Sequence, residues 1–158
     1  MWGHWGFSYI GLIFVCMLLV PNALWAAHRP VDYTPQGEPR MLLAMERMGQ
    51  VGVTATALCY SDFNPHALSP WSLWLLGSCL LMLLYELWRV RYFHSAHTMG
   101  DFTRSLCGVP AAGATLPVLA FCLLGIYGHV LPMLFFDTLL GIGHIGIHLY
   151  HRHQLRTA

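Results

Sequence analysis

The chain has 158 residues, enough for one compact domain, of which 56% are hydrophobic and only 9% charged, with a mean hydropathy of +0.54. A soluble domain carries about 25% charged residues, so this composition excludes an ordinary water-soluble fold and points to an integral membrane protein. The net charge of +1 gives no basic surface for a nucleic-acid partner.

A helix needs about 20 apolar residues to cross the hydrocarbon core. In chain order the apolar runs predict five transmembrane helices, over 5–27, 41–60, 71–88, 109–127 and 130–150. The first run is free of charge. A linker containing Pro and Gly follows over 28–40. The second run is the weakest, because Glu46 and Arg47 lie inside it. A short loop at 61–70 leads to the third, and a polar stretch follows it as far as 107. The fourth and fifth are joined only by Gly128 and His129, which predicts an antiparallel hairpin. Residues 1–6 lack a basic segment, so no cleaved leader is expected. The whole is expected to be one all-α, polytopic membrane bundle.

Arginine sidedness sets the expected orientation. The chain has no lysine, and all eight arginines fall on one set of connections or just inside it: Arg29, Arg40, Arg47, Arg89, Arg91, Arg104, Arg152 and Arg156. Positive residues near span ends stay in the cytoplasm. The N-terminus is therefore expected outside and the C-terminus in the cytoplasm, in the inner (plasma) membrane.

With the middle of each run as the midplane and 1.5 Å per residue, Asn22 lies roughly 9 Å to the cytoplasmic side, Glu46 roughly 7 Å, Glu86 roughly 9 Å and His144 roughly 6 Å. Gln50 lies one turn deeper than Glu46. Polar groups at these depths are costly against lipid and are expected to meet inside the bundle. On the fifth helix Asp137, Gly141, His144, His148 and His151 share one face. Gly141, Gly143 and Gly146 leave room for a neighbouring helix or a ligand.

Two carboxylates in a poorly solvated site split into an acid and a base. Glu46, Glu86 and His144 are accordingly the catalytic candidates, with Asn22, Gln50 and Asp137 positioning a substrate. Glu86 has an alternative in Arg89, three residues on; Glu46 in snorkelling with Arg47; Asp137 in Tyr127 or Thr138. Imidazoles at i and i+4 can also share a metal ion or ligate haem, so His144, His148 and His151 form an alternative metal or haem site. The five cysteines, Cys16, Cys59, Cys79, Cys107 and Cys122, lack CxxC spacing and read as small apolar residues.

The final segment LGIGHIGIHLYHRH (140–153), with ERMGQVG (46–52) and LWRVRYF (87–93), resembles uncharacterised small multi-pass bacterial membrane proteins with a GIGHIGIH-type C-terminal helix. The resemblance implies a multi-pass bundle and no activity. In architecture alone, five helices with buried Glu and His are similar to sterol-isomerase-like and terpene-cyclase-like membrane enzymes. The expected functions are thus acid–base catalysis on a lipid or isoprenoid-like substrate, metal or haem binding, or a non-catalytic role as transporter or assembly subunit. Membrane lipid is the expected surrounding, with a second copy or another membrane subunit as a partner.

Overall fold

The computed structural model describes residues 2–30, 33, 37–106 and 108–157, the side chains of 155–157 excepted. Cys107 lies outside the described residues, as does the side chain of Arg156. The described residues are all helical apart from loops and two isolated bridges. The helices are α1 (Tyr9–Ala27), α2 (Arg40–Cys59), α3 (Ser72–Phe93), α4 (Met99–Phe102), α5 (Ala112–Tyr127) and α6 (Leu131–Thr157), with a single 3-10 turn at Ser61–Phe63.

Three helices are long and apolar enough to cross a membrane: α1, α3, and α6 as far as Gln154. By the same measure α5 is apolar but has only 16 residues, and α2, with 20, carries Arg40, Glu46 and Arg47.

Local chemistry sets the ends. α1 begins at Tyr9 rather than at Trp5, because Ser8 caps it by accepting from the Gly11 N–H at 2.9 Å. The residues before it form an extended strap. Gly6 N–H donates to the Cys59 carbonyl at 2.9 Å, Ser8 N–H donates to the Leu58 carbonyl at 3.1 Å, and Trp5 stacks on Tyr60. α3 runs past Trp88 to Phe93, since nothing in WRVRYF breaks a helix. α5 starts only at Ala112, after Pro110 and the left-handed Ala111 (φ 46°). The short α4 is fixed by a capping box between Thr98 and Asp101. The expected hairpin forms, with His129 in the left-handed region (φ 53°) and the Val130 N–H bonded to the Gly125 carbonyl.

Packing follows the small residues. The most extensive interface joins α2 to α6, and the next joins α3 to α5. On α6 a Cβ at Gly143 would collide with the α2 backbone at Leu42 and Glu46, and on α2 one at Gly49 would collide with the α6 backbone at Leu140. Glycine here lets two backbones touch, as small residues do at helix crossings in membranes. The glycines of GIGHIG thus admit a neighbouring helix. Between α3 and α5 the fully buried Ser78 hydroxyl donates to the Ala120 carbonyl at 2.7 Å, and Gly113 makes room for the Trp88 ring. Trp88, Tyr85, Tyr92, Phe121 and Leu124 form the densest part of the core.

The side faces of the bundle remain apolar and open. Leu12, Leu19, Leu76, Leu80, Leu83, Leu87 and Ile142 are all exposed, which suits contact with lipid and not with water. The four described cysteines, Cys16, Cys59, Cys79 and Cys122, are free.

Candidate active site

The tight α2–α6 crossing brings polar residues of both helices into one cavity of about 980 Å³. It is lined from every helix: Asn22 and Trp25 of α1, Glu46, Arg47, Gln50 and Thr54 of α2, Arg89 of α3, Phe102 of α4, Gly113 of α5, and His144, His148 and His151 of α6. Tyr33 and Glu38 of the linker join them.

Two carboxylate–imidazole pairs stand on the α6 stripe. Glu46 Oε1 lies 2.5 Å from His144 Nδ1, and Glu38 Oε1 lies 2.7 Å from His151 Nε2. Their surroundings differ. The side chains of His144 and Glu46 are 25% and 17% exposed, whereas those of His151 and Glu38 are each 7% exposed. Both pairs line the cavity; the first is the more accessible, and the second is nearly buried in its wall. Tyr33 donates its hydroxyl to Glu38 at 3.3 Å; burial, and then the Glu38 carboxylate beside it, push its pKa above the usual value.

His148 lies between the pairs, one turn from His144 with ring centroids 4.8 Å apart. It is 6% exposed, faces the Phe102 ring at 4.9 Å, and its buried Nδ1 has no partner among the described residues. Among the described residues no group of three or more His, Cys, Asp or Glu side chains converges to hold a metal ion. His144 and His151 are each turned to a carboxylate of another segment.

Several expected pairings are replaced. Glu46 bonds to His144, not to Arg47. Arg89 forms no ion pair with Glu86; it donates Nε to the Tyr85 hydroxyl at 2.8 Å and Nη2 to Asn22 Oδ1. Glu86 is not among the lining residues, and its buried Oε1 has no partner among the described residues. It does not share a site with Glu46, because α3 turns Tyr85 and Trp88 into the core and offers the cavity only Arg89. Asp137 lies outside the cavity too, two turns before His144 on α6. It is 3% exposed with Oδ1 unpartnered. Tyr127 bonds instead to His66 and to the Asn64 carbonyl, and Thr138 to the Leu134 carbonyl.

The cavity thus collects Asn22, Gln50, Glu46, His144, His148 and His151, and leaves out Glu86 and Asp137. It adds Arg89, Glu38 and Tyr33, which sequence reasoning passed over. The sequence presents Arg89 as a topological cation and as a partner for Glu86, not as a cavity residue. Glu38 and Tyr33 sit in a linker whose return to the bundle has no local sequence signal.

On the opposite face the carboxylate of Asp62 accepts from the His4 N–H and pairs with the His4 ring at 2.8 Å. Burial alone would raise the Asp62 pKa, but these bonds outweigh it and hold the carboxyl below its usual value. His129 stacks on Trp71 at 4.7 Å. Both are surface fastenings remote from the cavity. Comparison with family models, with curated proteins and with solved structures gives no match to this chain.

Proposed function

We propose that the protein is a five-span membrane enzyme, N-terminus outside and C-terminus in the cytoplasm of the inner membrane, that moves protons on a lipid or isoprenoid-like substrate. The observation that carries the reading is the Glu46–His144 pair at 2.5 Å, open to a 980 Å³ cavity inside an apolar bundle. With the proton on His144 Nδ1 held by Glu46, Nε2 carries the lone pair and acts as the base; the imidazolium so formed returns the proton as an acid. Glu46 orients the ring and stabilises the imidazolium, as the carboxylate partner does in other acid–base pairs. Gln50 and Asn22 hold polar atoms of the substrate. Glu38–His151 clamps the linker to α6 and takes no part in proton transfer. Glu46 turns to α6 and Arg47 borders the cavity, while Arg40 stands at the helix end, which supports counting α2 among the spans.

The test compares total lipid extracts from cells carrying the wild type, Glu46→Gln, His144→Ala and Glu38→Gln. A lipid-soluble species that changes with the wild type and with Glu38→Gln, but not with the other two, supports the reading. Identical extracts from wild type and Glu46→Gln refute it.

A second reading, haem or metal binding, is favoured by the unpartnered Nδ1 of His148 beside the cavity. Purified protein with a Soret band or stoichiometric metal, lost in His148→Ala, would establish it. Protein free of both excludes it.

A further inference from the structure

Arg89 is a cation in the interior of an apolar bundle. It is 6% exposed and lines the same cavity as Glu46 and His144. A guanidinium carries five N–H donors in a planar fork and keeps its charge. Its Nε and Nη2 bond to Tyr85 and Asn22, both neutral, while Nη1 is buried with no partner among the described residues. Among the described residues no carboxylate pairs with it within 4.0 Å. Glu86, one turn earlier, feels the Arg89 charge but makes no ion pair with it, and its buried Oε1 has no partner among the described residues. The Tyr85 and Trp88 rings lie 5.1 and 5.7 Å from Cζ, which supplies some cation–π attraction. That does not replace a counter-ion: a buried charge is costly until it is paired and fully hydrogen-bonded.

A hollow suited to a tail adjoins the cavity across α2. This second hollow, of about 670 Å³ and almost wholly apolar, lies against α2 and α6 beside Met48 and Phe136. Arg47, Val51 and Ala55 of α2 border both this hollow and the polar cavity.

We propose that Arg89 anchors the head group of the ligand, an amphiphile with an anionic head, carboxylate or phosphate, whose tail lies in the apolar hollow along α2. The anion takes the free Nη1 donors in a charge-assisted contact, and Asn22 and Tyr85 keep the fork aimed. This inference rests on the reading of the cavity as a lipid-substrate site and names the class of that substrate.

The experiment titrates the purified full chain in neutral detergent with oleate, oleyl phosphate and oleyl alcohol, read by tryptophan fluorescence, with Trp25 in the cavity wall. At least one anion is expected to bind roughly tenfold to a hundredfold more tightly than the alcohol, and the tighter of the two anions identifies the head. Arg89→Gln abolishes the preference; Arg89→Lys, which keeps the charge but not the fork, retains part of it. The comparison within the wild type stands even where a variant fails to fold. Equal binding of all three amphiphiles by the wild type, or an undiminished preference in folded Arg89→Gln, overturns the proposal. Glu46→Gln keeps the anion preference. Normal turnover with no head-group preference therefore sinks this inference alone, and a head-group preference with turnover intact in Glu46→Gln sinks the proton-transfer reading alone.

Discussion

Adding one methyl group at Gly143 should open the site from its foundation. A Cβ there would stand 2.6 Å from the Leu42 carbonyl oxygen and 2.8 Å from Glu46 Cα, and closer still to the Glu46 nitrogen. Ordinary contacts of this kind need about 3.5–4.0 Å. All three atoms are backbone, so no side chain can swing away, and α2 and α6 must part by about 1 Å. That separation stretches the 2.5 Å His144–Glu46 bond to about 3.5 Å, past the useful range of a hydrogen bond. Overpacking costs about 1–3 kcal/mol and the lost charge-assisted bond about 1.5–3 kcal/mol, against about 1 kcal/mol regained because alanine suits a helix better than glycine. Gly143→Ala is therefore expected to lose about 1.5–5 kcal/mol. Gly146→Ala is the matched control: its Cβ meets only the flexible end of the Leu42 side chain, at 3.1 and 3.2 Å, and stability should stay within about 1 kcal/mol of the wild type. Reversible unfolding in mixed detergent micelles, followed by circular dichroism, measures both. Equal stability of Gly143→Ala and wild type would refute the close crossing and the site geometry built on it.

Three further outcomes are expected. Glu38→Gln weakens a nearly buried pair and should lower stability by about 1.5–3 kcal/mol in the same assay, while leaving any lipid conversion intact. Ser78→Ala removes the hydroxyl bonded to the Ala120 carbonyl and should cost about 0.6 kcal/mol, the usual worth of an interhelical bond in a membrane; no change would mean that the α3–α5 seam is held by packing alone. The strap should open in acid. Asp62 is held below its ordinary value of 3.8 by His4, so its contribution is fully present above that value and is lost as pH falls through the lower folded one. Hydrogen exchange at the His4 and Gly6 amides should rise there, and Asp62→Asn should show the fast exchange at every pH.

The helices were legible because lipid leaves few alternatives to long apolar rods. Trp5 was misread as helical since hydropathy rewards its ring wherever it lies, whereas Ser8 and the glycines decide where the helix begins. The layer of Asn22, Glu46, Gln50 and His144 was legible from depth, which depends only on rise per residue. Depth carries no azimuth, and so the sequence puts Glu86 in a cavity that α3 turns it away from; Asp137 shares the His144 face but lies two turns away along α6, beyond the cavity. Partners across the chain were hidden for the same reason. Glu46 to His144 and Glu38 to His151 span 98 and 113 residues, and no local spacing encodes either. Arg89 looked like an interfacial cation until α3 was seen to continue past it to Phe93.

The central claim, that Glu46 and His144 move protons on a lipid-soluble substrate, is tested most directly by solvent deuterium. Membranes bearing the protein would be incubated in D₂O and their extracted lipids examined by mass spectrometry for deuterium that does not wash out in ordinary water. The account predicts carbon-bound label in a particular lipid species with the wild type, and none above background with Glu46→Gln or His144→Ala. Labelling that is the same in all three, or absent from all three, would contradict it.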